Sequence, residues 1–295
     1  MSPPDSRSAF WTDLVRSQGT ADAAVLGRVL VFGILATVIC VVEILTENTV
    51  AIDVTPYEVV GAALSLILVL RTNAGYDRWW EGRKLWGGIT NQCRDLVLTA
   101  LRYGPADEAW RENIVRWTAA FGHAARHSLR GEREGPELAS LLGAERAELL
   151  LAARHMPTYV SSMIAKTLAE ALGQQSMSGF AFLQADRQRA QLLDHIGGCE
   201  RIEKTPLQLA YAVKIRRFIF LFLAALPFAL IVRVGWLTPL LTMLVAYPIL
   251  ALDEIGAELQ QPFLKTSLNH LPLDEICTTI QRDVLAQLES NRRSQ

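Results

Sequence analysis

A long apolar block near the C-terminus constrains the fold more than any other feature of the sequence. It consists of Phe218–Val232 and Val234–Leu252, and the only charged residue between the two runs is Arg233. A transmembrane helix needs ~20 predominantly apolar residues, so the block is too long for one buried helix and long enough for two spans. We therefore predict a hairpin of two membrane-spanning helices that turns near Arg233.

Two shorter apolar runs lie in the N-terminal part of the chain. Val29–Val42 and Val59–Leu70 contain no charged residue. The composition agrees with a membrane protein, since only 20% of the residues are charged, against roughly 25% in soluble domains. We predict an all-α, polytopic membrane protein with four transmembrane helices, at about 25–45, 56–70, 211–232 and 234–252. The alternative is a soluble all-α protein with several short core helices.

The distribution of charge predicts the orientation of these spans. The loop between the first two runs carries acidic residues only, whereas Lys and Arg cluster after the second run and before the third. Because cytoplasmic flanks are enriched in Lys and Arg, we expect a multi-pass protein of the plasma (inner) membrane with both termini in the cytoplasm. The cytoplasmic part would be helical and comprise about 71–210 and 253–295, within a single unit over 1–295. Helical periodicity is clearest in Glu108–Leu129, Pro136–Arg154 and Gln188–Arg201.

Several classes of function are disfavoured by the sequence. A net charge of −1 gives no excess of positive charge to bind nucleic acid. The four cysteines are far apart and lack zinc-ligand spacing, and no phosphate-binding or nucleophile motif is present. His123 and His127 lie four residues apart, but the Glu of a metalloprotease motif is missing, so a coincidence of helix spacing is the preferred interpretation. We expect no enzyme, no cofactor and no metal site.

The densest local pattern is Leu70–Gly88, in which three tryptophans and four basic residues follow an apolar helix. Taken alone, it is typical of an interfacial anchor at a membrane exit. The segment closely resembles the signature of the bestrophin family, and the residues that carry the likeness include Arg71, Asn73, Asp77, Arg78, Trp79, Trp80 and Glu81. Further matches follow in the family's order at Cys199–Ile202, Thr205–Leu207, Asp253–Gly256, Pro262–Phe263 and Leu271–Cys277.

The resemblance implies a homopentameric ion channel in a lipid bilayer, with one central pore, an apolar neck and a cytoplasmic aperture. The neck maps to Ala62, Leu66 and Leu70, which share one helix stripe, so five copies would form stacked apolar rings. Ala62 is smaller than the family's usual neck residue, and packing against lipid or another helix is the alternative for this stripe. The aperture maps near Phe180, for which core packing is the alternative.

The resemblance leaves the sign of the permeant ion open. Eukaryotic bestrophins conduct chloride and related anions, while some bacterial members are thought to prefer monovalent cations. The eukaryotic calcium site follows the Pro-Phe pair, but here Leu264–Asn269 contains no carboxylate, so we expect calcium-independent opening. The alternative functions are those of a secondary transporter and of a membrane-anchored scaffold. The charged residues lie at or near the ends of the apolar runs, which disfavours a coupled carrier.

Overall fold

The computed structural model describes residues 20–46, 53, 55–205, 209–265, 267 and 269–293. Within these residues every regular element is helical and no strand occurs. The helices are α1 (Thr20–Thr46), α2 (Thr55–Tyr103), α3 (Glu108–Arg130), α4 (Pro136–Leu142), α5 (Ala144–Ala152), α6 (Met156–Gly173), α7 (Gly179–Lys204), α8 (Leu209–Val234), α9 (Thr238–Glu258) and α10 (Leu273–Arg293).

The chain divides into two compact units, and the boundary falls within α2. Unit 1 comprises Met1–Tyr76 and Leu207–Gln260, and unit 2 comprises Asp77–Pro206 and Gln261–Gln295. Helix α2 does not end at Leu70, where its apolar run ends, but continues to Tyr103. The change from apolar to charged composition therefore occurs without a break in the helix.

Unit 1 contains the apolar helices. Three segments of the described chain are long and apolar enough to cross a membrane, namely Ala23–Thr46, Thr55–Tyr103 and Tyr211–Glu258. The third segment contains both α8 and α9, which are joined by a 3-10 turn at Gly235–Leu237 and pack against each other. The predicted hairpin and the four apolar helices are thus confirmed, and the turn begins at Gly235, close to Arg233.

Helices α1, α8 and α9 contact one another pairwise and enclose an apolar core. At Gly33 of α1, an added Cβ would lie only 2.6 Å from the sulfur of Met243 on α9, so these helices need a small residue to pack this closely. Two buried hydroxyls of α9 are satisfied by nearby backbone carbonyls, since Thr238 donates to the Gly235 carbonyl and Thr242 to the Thr238 carbonyl, each at 2.7 Å. The apolar interior therefore contains hydroxyls that already have acceptors.

A buried ion pair fixes α2 against α9 in unit 1. Arg71 is 2% exposed and Asp253 is 4% exposed, and they form a salt bridge. Arg216 of α8 also contacts Asp253, with its Nε 3.1 Å from Oδ2. One turn beyond Arg71, an added Cβ at Gly75 would lie 3.1 Å from the Gly256 carbonyl oxygen. The close approach of the helices at Gly75 brings the two opposite charges together where water is excluded.

Unit 2 is built around α3, which contacts α4, α6, α7 and α10. The core includes fully buried Trp86 on α2 and Trp117 on α3. The buried indole of Trp110 donates to the Thr167 carbonyl at 2.9 Å, which links α3 to α6. The side chain of Asp107 caps the start of α3 by accepting from the Ala109 amide at 3.1 Å. Unit 2 is therefore a helical domain organised around one central buried helix.

One predicted helix of unit 2 is interrupted in the structure. The continuous helix expected over Pro136–Arg154 is wrong, because Gly143 has a φ of +85° and separates α4 from α5. An apolar spacing of three to four residues continues across this break, so the periodicity does not reveal it. A residue with a positive φ ends the first helix, and only glycine adopts that conformation without strain.

All four cysteines of the chain are buried and none forms a disulfide. Burial raises the pKa of Cys199 and of Cys277 to about 12, and neighbouring carboxylates contribute to the rise. The thiol of Cys277 donates to the Gly122 carbonyl at 3.2 Å. These side chains behave as small apolar residues of the core.

We predict that Asp253→Asn destabilises the protein by about 3–5 kcal/mol, because it leaves the buried guanidinium of Arg71 without a counter-charge. Glu254→Gln is the matched control, since it neutralises the adjacent carboxylate, whose ion pair with Arg28 is partly exposed. This second variant should lose less than about 1 kcal/mol. The free energy of unfolding in mild detergent measures both effects, and equal losses in the two variants would contradict the role given to Asp253.

Candidate functional site

The predicted neck residues form an open stripe on α2. Leu66 is 61% exposed and Leu70 is 56% exposed, and Ala62 is exposed as well. On the opposite side of the helix, Leu64 and Leu68 are almost completely buried. Two faces of one apolar helix therefore have different surroundings. The first is packed within unit 1, and the second has no covering side chains from the described part of the chain.

The buried face of α2 is held by α8. The Tyr57 hydroxyl donates to the Phe222 carbonyl at 3.2 Å, and the two rings are 5.2 Å apart. A Cβ added at Gly61 would lie 3.3 Å from the Phe222 ring, which is tight packing. Together with the Arg71 salt bridge, these contacts fix the rotation of α2 about its axis. They determine that the face bearing Leu66 and Leu70 points away from unit 1.

The polar residues that follow the stripe have different roles. Asn73 and Asp77 are exposed. Arg71 is the buried partner of Asp253, as described above, so its charge is neutralised inside unit 1. Arg83 and Lys84 are exposed. The number of basic residues in this segment is therefore larger than the number of positive charges that are available to a ligand or an ion.

Arg78 caps the C-terminus of α7. It donates to the Thr205 carbonyl at 2.7 Å and also to the Ile202 carbonyl. The last carbonyls of a helix lack partners within the helix and carry a partial negative charge, which a guanidinium satisfies. Glu81 also contacts this region, with its Oε1 3.2 Å from the Arg201 guanidinium. Two sequence segments that resemble the family thus meet within unit 2, although Pro206 and Leu207 lie outside the described residues.

The tryptophans of the same segment pack on the other family-like segments. The indole of Trp79 donates to the Asn269 carbonyl at 2.8 Å and lies near the ring of Trp80, 6.4 Å between centroids. One turn later, a Cβ added at Gly82 would lie 3.2 Å from the ring of Phe263. Glycine is needed there for this close approach. The motif residues of unit 2 are therefore chiefly structural, because they join α2 to α7 and to the Pro262–Phe263 segment.

Phe180, the predicted aperture residue, is 90% exposed. It lies in the first turn of α7, where Ser178 caps the helix by accepting from the Ala181 amide at 3.2 Å. A phenyl ring with this exposure makes little contact with its own chain, so core packing within the chain does not explain it. The ring is available to a partner or to a pore.

His123 and His127 belong to a buried polar cluster that periodicity alone does not reveal. His127 Nε2 lies 2.9 Å from Glu137 Oε1, and His123 Nε2 lies 2.9 Å from Gln281 Oε1. Burial lowers the pKa of both histidines, which keeps them neutral near pH 7. In the described part of the chain no group of His, Cys, Asp or Glu side chains could hold a metal ion. The cluster links α3 to α4 and α10.

The arginine between these histidines is the centre of the cluster. Arg126 forms salt bridges with Glu137 and with Asp274, the latter at 2.7 Å. Burial opposes the low pKa of Glu137, but hydrogen bonds from backbone, His127 and Arg126 outweigh it and lower the pKa below its usual value. The four-residue spacing of His123 and His127 is visible in the sequence, whereas the partners on α4 and α10 give no local signal there. Their roles follow from tertiary packing alone.

The segment that binds calcium in eukaryotic family members has a different chemistry here. Lys265 Nζ lies 3.5 Å from Glu132 and 3.9 Å from Asp274. An ammonium group therefore lies next to the carboxylates of Glu132 and Asp274. Thr266 and Leu268 lie outside the described residues. Both belong to Leu264–Asn269, the segment that is predicted not to bind calcium.

The chain is similar to known membrane proteins over most of its length. Residues 4–286 match a family model described as "Bacterial/Fungal Bestrophin protein". A relative from Ralstonia nicotianae, "Voltage-dependent anion channel-forming protein RSc3414", is 37% identical over 245 residues, which cover 81% of this chain and 79% of the relative. A protein of the same description from Nostoc sp. is 32% identical over 286 residues, which cover 94% and 92% of the two chains.

A solved structure supports the same relationship. The crystal structure of a bacterial bestrophin homolog from Klebsiella pneumoniae superimposes with a TM-score of 0.84 at 28% sequence identity, over 90% of this chain and 98% of that chain. Within each unit, family-like segments quoted above also contact one another. The chain therefore belongs to the bacterial and fungal bestrophin family.

Proposed function

We propose that the protein is a homopentameric ion channel of the plasma membrane, with both termini in the cytoplasm and a pore lined by α2. The observation that carries this proposal is the open apolar stripe of Ala62, Leu66 and Leu70, which is exposed in the single chain. An apolar stripe needs covering by lipid or by copies of itself. The names of the curated relatives describe channel-forming proteins, which favours self-association around a pore.

The neck would be a hydrophobic constriction. Residues at i, i+4 and i+8 are separated by about 6 Å along a helix, so five chains would place three rings within about 12 Å of pore length. The Leu66 and Leu70 rings could close the pore by dewetting, which requires apolar side chains and no charge. The ring of Ala62 would be wider because its side chain is smaller.

Anion conduction is the first candidate for selectivity. The curated relatives from Ralstonia and Nostoc are both named as anion channel-forming proteins. Arg83 and Lys84 are exposed on the polar part of α2 and could attract anions. Chloride is the permeant ion that this proposal favours.

Monovalent cation conduction is a second candidate, and the charges near the stripe favour it. The guanidinium groups of Arg71 and Arg78 are occupied by Asp253 and by the α7 carbonyls, so neither would stabilise a passing anion. Asp77 is exposed. A carboxylate close to a pore attracts cations.

No reaction is assigned to the protein, and opening is proposed to be independent of calcium. The histidine cluster is buried and internally hydrogen-bonded, which leaves no group positioned for catalysis there. Lys265 contributes a positive charge beside Glu132 and Asp274, which opposes a calcium ion at that position. The proposed channel needs no cofactor.

Planar-bilayer recording of the purified protein tests the proposed function. Unitary currents far above the turnover of a carrier are expected, and their absence would leave a transporter or a membrane-anchored scaffold. The sign of the reversal potential across a potassium chloride gradient distinguishes the two ions. Currents should be the same with calcium and with a chelator, and a clear calcium requirement would contradict calcium-independent opening.

Leu66→Ala and Leu70→Ala should each widen and hydrate the neck, because removing the isobutyl group lowers the barrier to wetting. We expect a higher conductance or open probability in both variants. Leu244→Ala is the control, since Leu244 of α9 is similarly exposed and lies outside the predicted neck. Currents unchanged in both neck variants, or raised equally by Leu244→Ala, would remove these side chains from the pore.

Phe180→Ala should alter the relative permeability of ions of different size, because a bulky ring would be lost from the aperture. Bi-ionic reversal potentials for a series of ions with the same charge measure this effect. Tyr103→Ala, which removes another highly exposed aromatic ring from unit 2, should leave the series unchanged. If Phe180→Ala also leaves it unchanged, Phe180 does not form the aperture.

A further inference from the structure

A cavity in unit 1 combines a charged mouth with an apolar wall. It has a volume of about 400 Å³, within the usual range for ligand pockets, and lies among α1, α8 and α9. Its lining residues are Arg28, Val31, Phe32, Arg216, Ile219, Phe220, Leu250 and Asp253. None of them belongs to the proposed neck or aperture.

The three helices contribute the same pattern to this cavity. On α1, Arg28 is followed at i+3 and i+4 by Val31 and Phe32, which share its helical face. On α8, Arg216 is followed in the same way by Ile219 and Phe220, and the rings of Phe32 and Phe220 are 5.9 Å apart. On α9 the order is reversed, with Leu250 preceding Asp253. Each helix therefore places a charge at the mouth and apolar groups beside it.

The charges at the mouth are unequal in number. Three guanidinium groups form ion pairs here, namely those of Arg28, Arg71 and Arg216. Their partners in these ion pairs are only two carboxylates, those of Asp253 and Glu254. Three positive charges against two negative charges leave one positive charge. Arg71 is buried, so the excess is presented by the two exposed arginines at the mouth, Arg28 and Arg216.

These arginines also retain donors for a ligand. Arg28 uses one terminal nitrogen on Glu254 at 2.8 Å, and Arg216 uses Nε on Asp253 at 3.1 Å. Among the residues that the structure describes, the other guanidinium nitrogens of Arg28 and Arg216 have no acceptor. A phosphate group accepts several such donors, because guanidinium and phosphate have complementary geometry.

The position along the apolar runs indicates the source of that phosphate. Arg28 directly precedes the uncharged run Val29–Val42, Arg216 precedes Phe218–Val232, and Asp253 directly follows Val234–Leu252. The mouth therefore lies at headgroup depth at one end of the spans, where arginine side chains reach lipid phosphates. A free phosphate would need the two arginines only and would leave the apolar wall without a partner.

We propose that this cavity binds an anionic phospholipid, with its phosphate between Arg28 and Arg216 and the first part of an acyl chain along Phe32 and Phe220. The headgroup displaces water from both arginines, and the chain covers the exposed ring of Phe220. The site is separate from conduction and requires only that unit 1 lies in a bilayer.

Native mass spectrometry of the full chain in detergent tests this proposal. Phosphatidylglycerol should bind more tightly than phosphatidylcholine with the same acyl chains, because only the former adds a net negative charge. Arg28→Gln and Arg216→Gln should each weaken phosphatidylglycerol binding about fivefold. Arg233→Gln is the matched control, since Arg233 is also exposed but lies at the opposite end of α8, and it should have no effect.

Further variants and a free-phosphate control separate the effects of charge, folding and cavity shape on lipid binding. The double variant Arg28→Lys/Arg216→Lys retains the charge but loses the guanidinium geometry, so it should bind phosphatidylglycerol more tightly than the Gln variants and more weakly than the native chain, which separates charge from folding. Val31→Trp leaves both arginines intact, fills the exposed side of the cavity and should weaken binding of both lipids. Inorganic phosphate, added alone in the same concentration range, should neither bind nor displace the lipid.

Three results would overturn the proposal. The first is equal affinity for phosphatidylglycerol and phosphatidylcholine, and the second is a loss in Arg233→Gln that equals the loss in the Arg28 and Arg216 variants. The third is displacement of the lipid by inorganic phosphate at equal concentration, which would make the cavity a site for free anions. Failure of channel recordings would not affect any of these measurements.

Discussion

The buried salt bridge between Arg71 and Asp253 is the interaction on which the arrangement of unit 1 depends. A charge in an apolar interior is tolerated only with a partner, so α2 and α9 cannot separate or rotate there without exposing an unpaired ion. The pairing also fixes which face of α2 packs on α8. The orientation of the stripe that carries Leu66 and Leu70 is thus a consequence of electrostatics elsewhere on the same helix. The proposed neck, which carries no charge, would thus be oriented by two charges outside it.

The parts of the structure that the sequence predicts are those encoded over short distances. The lengths of the apolar runs predicted the spans, and the single Arg233 between two of them predicted the hairpin. The break at Gly143 was missed, because a positive φ leaves no trace in hydrophobic periodicity. The partner of Arg71 was missed for a different reason. Asp253 lies far from Arg71 in the sequence, and other acidic residues at the ends of the spans are equally plausible partners by sequence alone.

In the candidate site, several large apolar side chains have no covering partner within the described part of the chain. Leu66, Leu70 and Phe180 are large apolar side chains that the described part of the chain leaves uncovered. In unit 2, by contrast, the tryptophans and Gly82 of the family-like segment make specific contacts within the chain. The residues that pack within the chain and the residues that stay exposed thus have different roles. Contacts within the chain maintain the scaffold, and the uncovered residues are the ones to which we assign the proposed pore.

The burial of all four cysteines makes the native chain a suitable background for site-directed labelling. The thiolate is the nucleophile that reacts with thiol reagents, and a pKa of about 12 at Cys199 and Cys277 keeps those thiols protonated under ordinary conditions. Cys40 and Cys93 are equally inaccessible to a water-soluble reagent. A cysteine introduced at a surface position would therefore be the preferred target, without prior removal of native thiols that pack the core. Accessibility along α2 can thus be mapped one residue at a time in an otherwise unaltered protein.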